Sequence, residues 1–235
     1  MNEEIPNCVP IHAVFFDLDG TLLDTAPDLV NALNALLSAN DRNPLPFDQV
    51  RNHVSQGSAA LTRVGFPEIK QDAEFEPLRQ QLLQYYADAI CVDTAPFAEI
   101  EELLNCIVEQ QVPWGIITNK PGWLTDPLLD SLGLTRRAAC VVSGDTLPQR
   151  KPEPEPLLHA CELIGASPTH SIYIGDDPRD IHAGNAAGMY TCVARYGYIE
   201  PGAEVDRWGA DFTIASPKEL TRFIQLAKHI HNMAT

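Results

Sequence analysis

Two aspartates one residue apart, Asp17 and Asp19, follow directly on the apolar run 11–16 and precede Gly20 and Thr21. A short run rich in β-branched and aromatic residues reads as a buried strand. On an extended backbone, positions i and i+2 point the same way. The two carboxylates would then stand together past a strand end, where ligands of open parallel sheets bind. Unpaired, they would repel one another in a partly desolvated site. A divalent cation relieves that repulsion, and hard oxygen ligands suit magnesium. Gly20 permits the sharp turn out of the strand.

Other groups able to do chemistry recur at similar places. Thr118 and Asn119 end the apolar run 112–118, and Asp176, Asp177 and Asp180 follow the run 171–175. Lys151 opens a proline-rich stretch that suits the first turn of a helix. These residues must be held by the elements between them. Further strand-like runs lie at 138–142, 191–194 and 211–214. Helical patterns lie at 97–110, 123–132, 154–164, 178–187 and 217–231. The alternation predicts an α/β fold with a parallel sheet covered on both faces. Residues 24–94 break it. Apolar residues at helical spacing occur at 26–39, 74–90 and, more weakly, 47–61, with no convincing strand. We therefore expect a helical domain, 24–94, inserted after the first strand into a core domain of 1–23 and 95–235.

Composition narrows the function. The chain has 235 residues, with 16 Lys+Arg against 32 Asp+Glu and a net charge of −16. That argues against nucleic acid and anionic membrane partners, because no basic excess exists to meet phosphates. It leaves a small anionic substrate open, since one site can be locally positive in a negative molecule. No apolar run approaches the roughly 18–20 residues of a membrane span. Glu3 and Glu4 stand where a signal peptide would be basic, so a cytoplasmic protein is expected. The six cysteines lack C-x-x-C or zinc-ligand spacing and read as reduced, mostly buried thiols.

Taken in order, Asp17-Leu18-Asp19-Gly20-Thr21, then Thr118-Asn119, then Lys151, then the acidic run 175–180 resemble the four motifs of the haloacid dehalogenase-like phosphohydrolases. The resemblance implies a Rossmann-like, doubly wound parallel sheet with a C1-type helical cap. It implies Mg²⁺ and a small phosphorylated metabolite. Asp17 would be the nucleophile that forms an aspartyl-phosphate. Asp19 would protonate the leaving oxygen and then activate water. The main-chain carbonyl of Asp19 would bind Mg²⁺ beside the carboxylates of Asp17 and Asp176. Thr118, with Asn119 and nearby amides, would hold phosphoryl oxygens. Lys151 would offset the repulsion between a carboxylate and a phosphate dianion, about 1 kcal/mol per charge pair at ~4 Å in water and about 4 at an effective dielectric of ~20. Asp177 and Asp180 would orient metal waters or Lys151.

A cap of this kind closes over the site and reads the leaving group. Ser55, Gln56, Gly57 and Ser58 form its most polar stretch and are expected to face the substrate. Arg195, after the run 191–194, is expected to bind a substrate carboxylate bidentately, unless it is a surface or packing arginine. Asp19 argues against a dehalogenase, which needs no leaving-group acid. Lys70, the sole lysine of the insertion, sits in the wrong context for a phosphonatase Schiff base. A mutase stays open. DTAPDL after Leu23 and TNKP at 118–121 resemble the phosphoglycolate phosphatase-like group. KPEPEPL at 151–157, RYGYI at 195–199 and WGAD at 208–211 are most similar to the N-acetylmuramic acid 6-phosphate phosphatases of cell-wall recycling. 2-Phosphoglycolate is the alternative substrate. A non-catalytic regulatory protein is a further reading, and the intact Asp17, Asp19, Thr118, Lys151 and Asp176 argue against it.

Overall fold

The computed structural model describes residues 11–222 and 224. Its centre is strand β1 (Ala13–Phe16), every residue of which is buried. Alternation along β1 explains why. Ala13 and Phe15 pack on one face of the sheet against Leu157 of α7 (Glu155–Ile164) and Ala183 of α8 (Pro178–Ala187). Val14 and Phe16 pack on the other against Leu103 and Ile107 of α5 (Ile100–Glu109) and Leu128 of α6 (Gly122–Ser131). A strand covered on both faces has no polar side to show, which is why it reads as an unbroken apolar run.

Around it lie β4 (Trp114–Ile117), β5 (Cys140–Val142), β6 (Ser171–Gly175), β7 (Tyr190–Ala194) and β8 (Phe212–Ile214). The sheet order is β5-β4-β1-β6-β7-β8, with every neighbouring pair parallel. The chain builds outward from β1 through β4 to β5, then crosses back to β6. That reversal leaves a crevice at the carboxyl ends of β1, β4 and β6, the usual ligand position in such sheets.

The segment after β1 leaves and returns through a two-stranded antiparallel ribbon, β2 (Leu23–Asp24) with β3 (Ala95–Pro96). Strands this short carry no periodicity to read. Between them lie helices α1 (Ala26–Ala39), α2 (Phe47–Val50), α3 (Ser58–Gly65) and α4 (Asp72–Asp88). Leu29, Leu33 and Leu36 of α1 meet Leu61 of α3 and Leu78 and Leu82 of α4 in a separate apolar cluster. Asp28 closes the neck by accepting the amides of Val92, Asp93 and Thr94 and the Thr94 hydroxyl. The expected helix at 47–61 is broken. Within 51–58 only Val54 is a buried apolar residue. A continuous helix there would gain little packing, and Arg51 and Ser55 bond to the core instead.

Residues 217–222 and 224 are helical, and Leu220 and Ile224 are buried. The expected continuation to 231, like Cys8, lies outside the described residues. None of the other five cysteines forms a disulfide among the described residues. No described helix is long and apolar enough to cross a membrane.

Candidate active site

Asp17 is the first residue past β1, and its amide donates to the Ile174 carbonyl of β6 at 2.8 Å. The chain then turns back at Gly20 with φ of +88°, where an added Cβ would stand 2.2 Å from Asp176 Oδ2. Only glycine admits both that dihedral and that approach. Lys151 reaches the same place from the loop ahead of α7. Its Nζ lies 2.8 Å from Asp17 Oδ1, 2.7 Å from Asp180 Oδ1, 2.7 Å from the Tyr173 hydroxyl and 3.1 Å from the Ile117 carbonyl. Asn119 holds that loop: its Nδ2 donates to the Lys151 carbonyl at 3.0 Å and its Oδ1 accepts the Lys151 amide at 3.1 Å. An amide side chain matches a peptide group donor for acceptor, and Asn119 uses that match to position Lys151, while the residue also lines the cavity.

Asp19 lines the same cavity as Asp17 but has its own partners. Its Oδ1 accepts the Thr25 hydroxyl at 2.6 Å, and the Lys120 ammonium lies 2.9 and 3.2 Å from its two oxygens. Lys120 also sits 4.5 Å above the ring of Tyr86 from α4. Burial opposes its charge, but Asp19 and Tyr86 outweigh that and hold its pKa above the ordinary lysine value. Thr118 is buried at the end of β4, and its Oγ1 accepts the Lys120 amide at 3.1 Å.

Asp17, Asp176 and Asp180 form an acidic cluster, with one oxygen of each within 4.8 Å of the others. Burial, with Asp180 and Asp19 nearby, pushes the Asp17 carboxyl up to about 7 against the pull of Lys151. Asp176 is raised well above the usual range, chiefly by burial and then by Asp17 and Asp180. Burial disfavours the Lys151 charge as well, yet Asp17 and Asp180 keep its pKa above normal. One lysine thus serves a buried cluster of three carboxylates. Asp180 is already engaged, by Lys151 and by the Asp177 amide at 3.1 Å. Asp176 accepts only neutral donors, Thr21, Ser55 and the Tyr198 amide, so with Asp17 it leaves excess negative charge that fits a hard divalent cation. Asp177, by contrast, caps α8 and grips Arg179, at 2.7 Å to Nε and 3.0 Å to Nη2. The expectation that it orients metal waters or Lys151 is corrected: as N-cap its side chain is turned to the helix start.

The insertion roofs this cluster and leaves a cavity of about 600 Å³ between itself and the core. Ser55 donates to Asp176 Oδ2 at 2.6 Å and lies 3.5 Å from the Asp19 carbonyl. Arg179 donates to the Ser55 carbonyl at 2.5 Å. Gln56 bonds Glu200 at 2.8 Å, across the seam between insertion and core. Gly57 and Ser58 line the cavity, with Arg79 donating to Ser58 Oγ at 3.2 Å. Trp123, half exposed, lines it from the core side. Arg195 is absent from its walls. Its side chain pairs with Asp206 at 2.5 Å and Thr213 at 3.1 Å. The carboxylate-binding role expected of it finds no support here: the chain after β7 reaches Asp176 through residues 197 and 198, but the Arg195 side chain turns to Asp206 and Thr213 instead of the cavity.

Sequence reading alone passed over Lys120, Thr25, Arg179, Arg79 and Trp123. Lys120, Arg179 and Thr25 sit inside stretches that carry the resemblance and could have been found there. Arg79 and Trp123 carry no local signal and are brought in by packing.

Residues 14–194 match the family model described as haloacid dehalogenase-like hydrolase. An N-acetylmuramic acid 6-phosphate phosphatase of Pseudomonas aeruginosa is 41% identical over 210 residues, covering 89% of this chain and 93% of that protein. A phosphoglycolate phosphatase of Xylella fastidiosa is 42% identical over 222 residues, covering 94% and 96%. The crystal structure of a predicted phosphoglycolate phosphatase from Haemophilus somnus superposes with a TM-score of 0.80 at 24% identity, covering 91% of this chain and 97% of that one. The chain belongs to the haloacid dehalogenase-like hydrolases.

Proposed function

We propose that this member of the haloacid dehalogenase-like hydrolases is a Mg²⁺-dependent phosphomonoesterase acting on N-acetylmuramic acid 6-phosphate. The cavity carries this reading: at about 600 Å³ it has room for a sugar phosphate, and 2-phosphoglycolate, with two carbons, would leave most of it to water. Trp123, from the core side, would offer an apolar ring to a sugar, and Arg79, paired with Glu76, would offer its remaining N–H donors from the insertion side. The relatives named for both substrates support the phosphatase chemistry equally. Five cysteines with no disulfide among the described residues accord with a reducing, cytoplasmic setting, where peptidoglycan recycling would take place.

Asp17, in line behind the phosphorus, would form the O–P bond as the bond to the sugar oxygen breaks. Asp19 would give that oxygen its proton. Water would then attack the aspartyl-phosphate, Asp19 would take a proton back, and inorganic phosphate would leave with Asp17 restored. Lys151 would neutralise the nucleophile and the phosphoryl group, and Thr118 would hold a phosphoryl oxygen. Asp17, Asp176 and the Asp19 carbonyl would hold Mg²⁺, whose charge would reduce repulsion between carboxylate and phosphate. The test compares kcat/KM for N-acetylmuramic acid 6-phosphate, 2-phosphoglycolate, glucose 6-phosphate and β-glucose 1-phosphate. A preference of ~100-fold or more for the muramic ester, about 2.7 kcal/mol, is expected. A preference for phosphoglycolate would move the enzyme to metabolite repair.

A further inference from the structure

The stretch 195–199 lies outside the four motifs, yet one of its residues touches both Asp176 and the entry of the insertion. Tyr198 is 2% exposed. Its amide donates to Asp176 Oδ2 at 2.8 Å. Its hydroxyl donates to Asp24 Oδ1 at 2.7 Å and accepts the Ala26 amide at 2.9 Å. Between Asp24 and Ala26 stands Thr25, whose hydroxyl bonds Asp19 Oδ1. The Arg51 guanidinium of the insertion lies 4.7 Å over the Tyr198 ring, and the Phe97 ring beyond β3 lies 6.0 Å from it. Neighbouring Gly197 lets this segment approach, since a Cβ there would meet Asp176 Cβ and the Gly20 carbonyl at 2.4 Å.

We propose that Tyr198 is a positioning residue that ties the entry of the helical insertion to the site, its hydroxyl fixing the Asp24–Ala26 turn so that Thr25 orients Asp19 toward the leaving oxygen. The inference rests on the phosphatase reading and on Asp19 as the proton donor, not on the muramic substrate. Two bonds to the hydroxyl leave the flanking residues little freedom, so Thr25 is held from both sides. Burial, and then Asp24, push the Tyr198 pKa far up, which keeps its proton available to Asp24. The Tyr198 amide serves Asp176 separately and survives any side-chain change.

That separation makes the role testable with Tyr198→Phe, which removes only the hydroxyl. An alkyl ester such as glucose 6-phosphate needs a proton on its leaving oxygen, whereas p-nitrophenolate leaves without one. The variant is expected to lose about tenfold in kcat on the alkyl ester and less than about twofold on p-nitrophenyl phosphate. Mg²⁺ affinity by calorimetry is expected to stay unchanged, since the amide remains. Thr25→Val is expected to reproduce the pattern, and the double variant to fall no further than either single one. Equal losses on both esters, additive losses, or no loss would each overturn the proposal. A wild-type protein that hydrolyses neither ester would overturn the phosphatase reading and this inference with it. Wild-type hydrolysis of both, with no muramic preference, would defeat only the substrate proposed above.

Discussion

The two walls of the cavity are built differently. On the core side, Asp17, Lys151, Asp176 and Asp180 are nine-tenths or more buried, with Lys151 bonded to Asp17 and Asp180. On the insertion side, Ser55 to Ser58 sit in a turn and at a helix start, partly exposed, and reach the core through a few side chains. The core wall concentrates unfavourable charge that its own packing must withstand. The insertion wall carries little charge and little strain, so its residues can vary without unfolding the sheet. On the function proposed above, chemistry would belong to the core wall and selectivity to the insertion wall.

The largest effect should come from Asp17→Asn. It is expected to lower kcat by a factor of ~1,000 or more. The substitution also removes one charge from a buried acidic cluster, so metal-free Tm by calorimetry is expected to hold or rise. A large fall in Tm would mean that the core charges stabilise the fold, and the contrast between the walls would fail. Next is pH. Asp17 must lose its proton to hold a cation, and its pKa is up to about 7, so Mg²⁺ affinity should weaken by about tenfold from pH 8 to pH 6. The same raised acid means that the folded, metal-free protein binds a proton the unfolded chain has released. Its stability should therefore be greater at pH 6 than at pH 8. Calorimetric titration and melting at the two values check both signs.

Ser55→Ala tests the other wall. It removes a hydroxyl from Asp176 and is expected to cost about fivefold in kcat/KM with Tm nearly unchanged. A loss as great as that for Asp17→Asn would make the insertion part of the chemical machinery. Smallest of all is Arg195→Ala, expected to change kcat/KM less than about twofold, because its partners are an exposed aspartate and a threonine.

Much was legible before the fold was known. The strands under the sheet are short apolar runs because burial on both faces permits nothing else, and Asp17, Thr118 and Asp176 directly follow three of them. Their residue types and order were enough to indicate phosphoryl chemistry. The insertion was legible as helical from its leucine spacing, although the polar stretch 51–58 misled because it gains its structure from the core. Arg195 misled for a related reason: position after a strand does not reveal which way a side chain turns, and this one turns to Asp206 and Thr213.

The sequence by itself determined the local matters: which segments are apolar enough to be strands, which recur at helical period, and which reactive side chains end them. The tertiary structure alone decided who meets whom. Lys151 is 134 residues from Asp17, and Ser55 is 121 from Asp176. Lys120 on Asp19 and Tyr198 on Asp24 join segments 101 and 174 residues apart. Periodicity encodes the burial of one element at a time. Partnerships between charged groups depend on strand order and helix packing, which no local pattern contains.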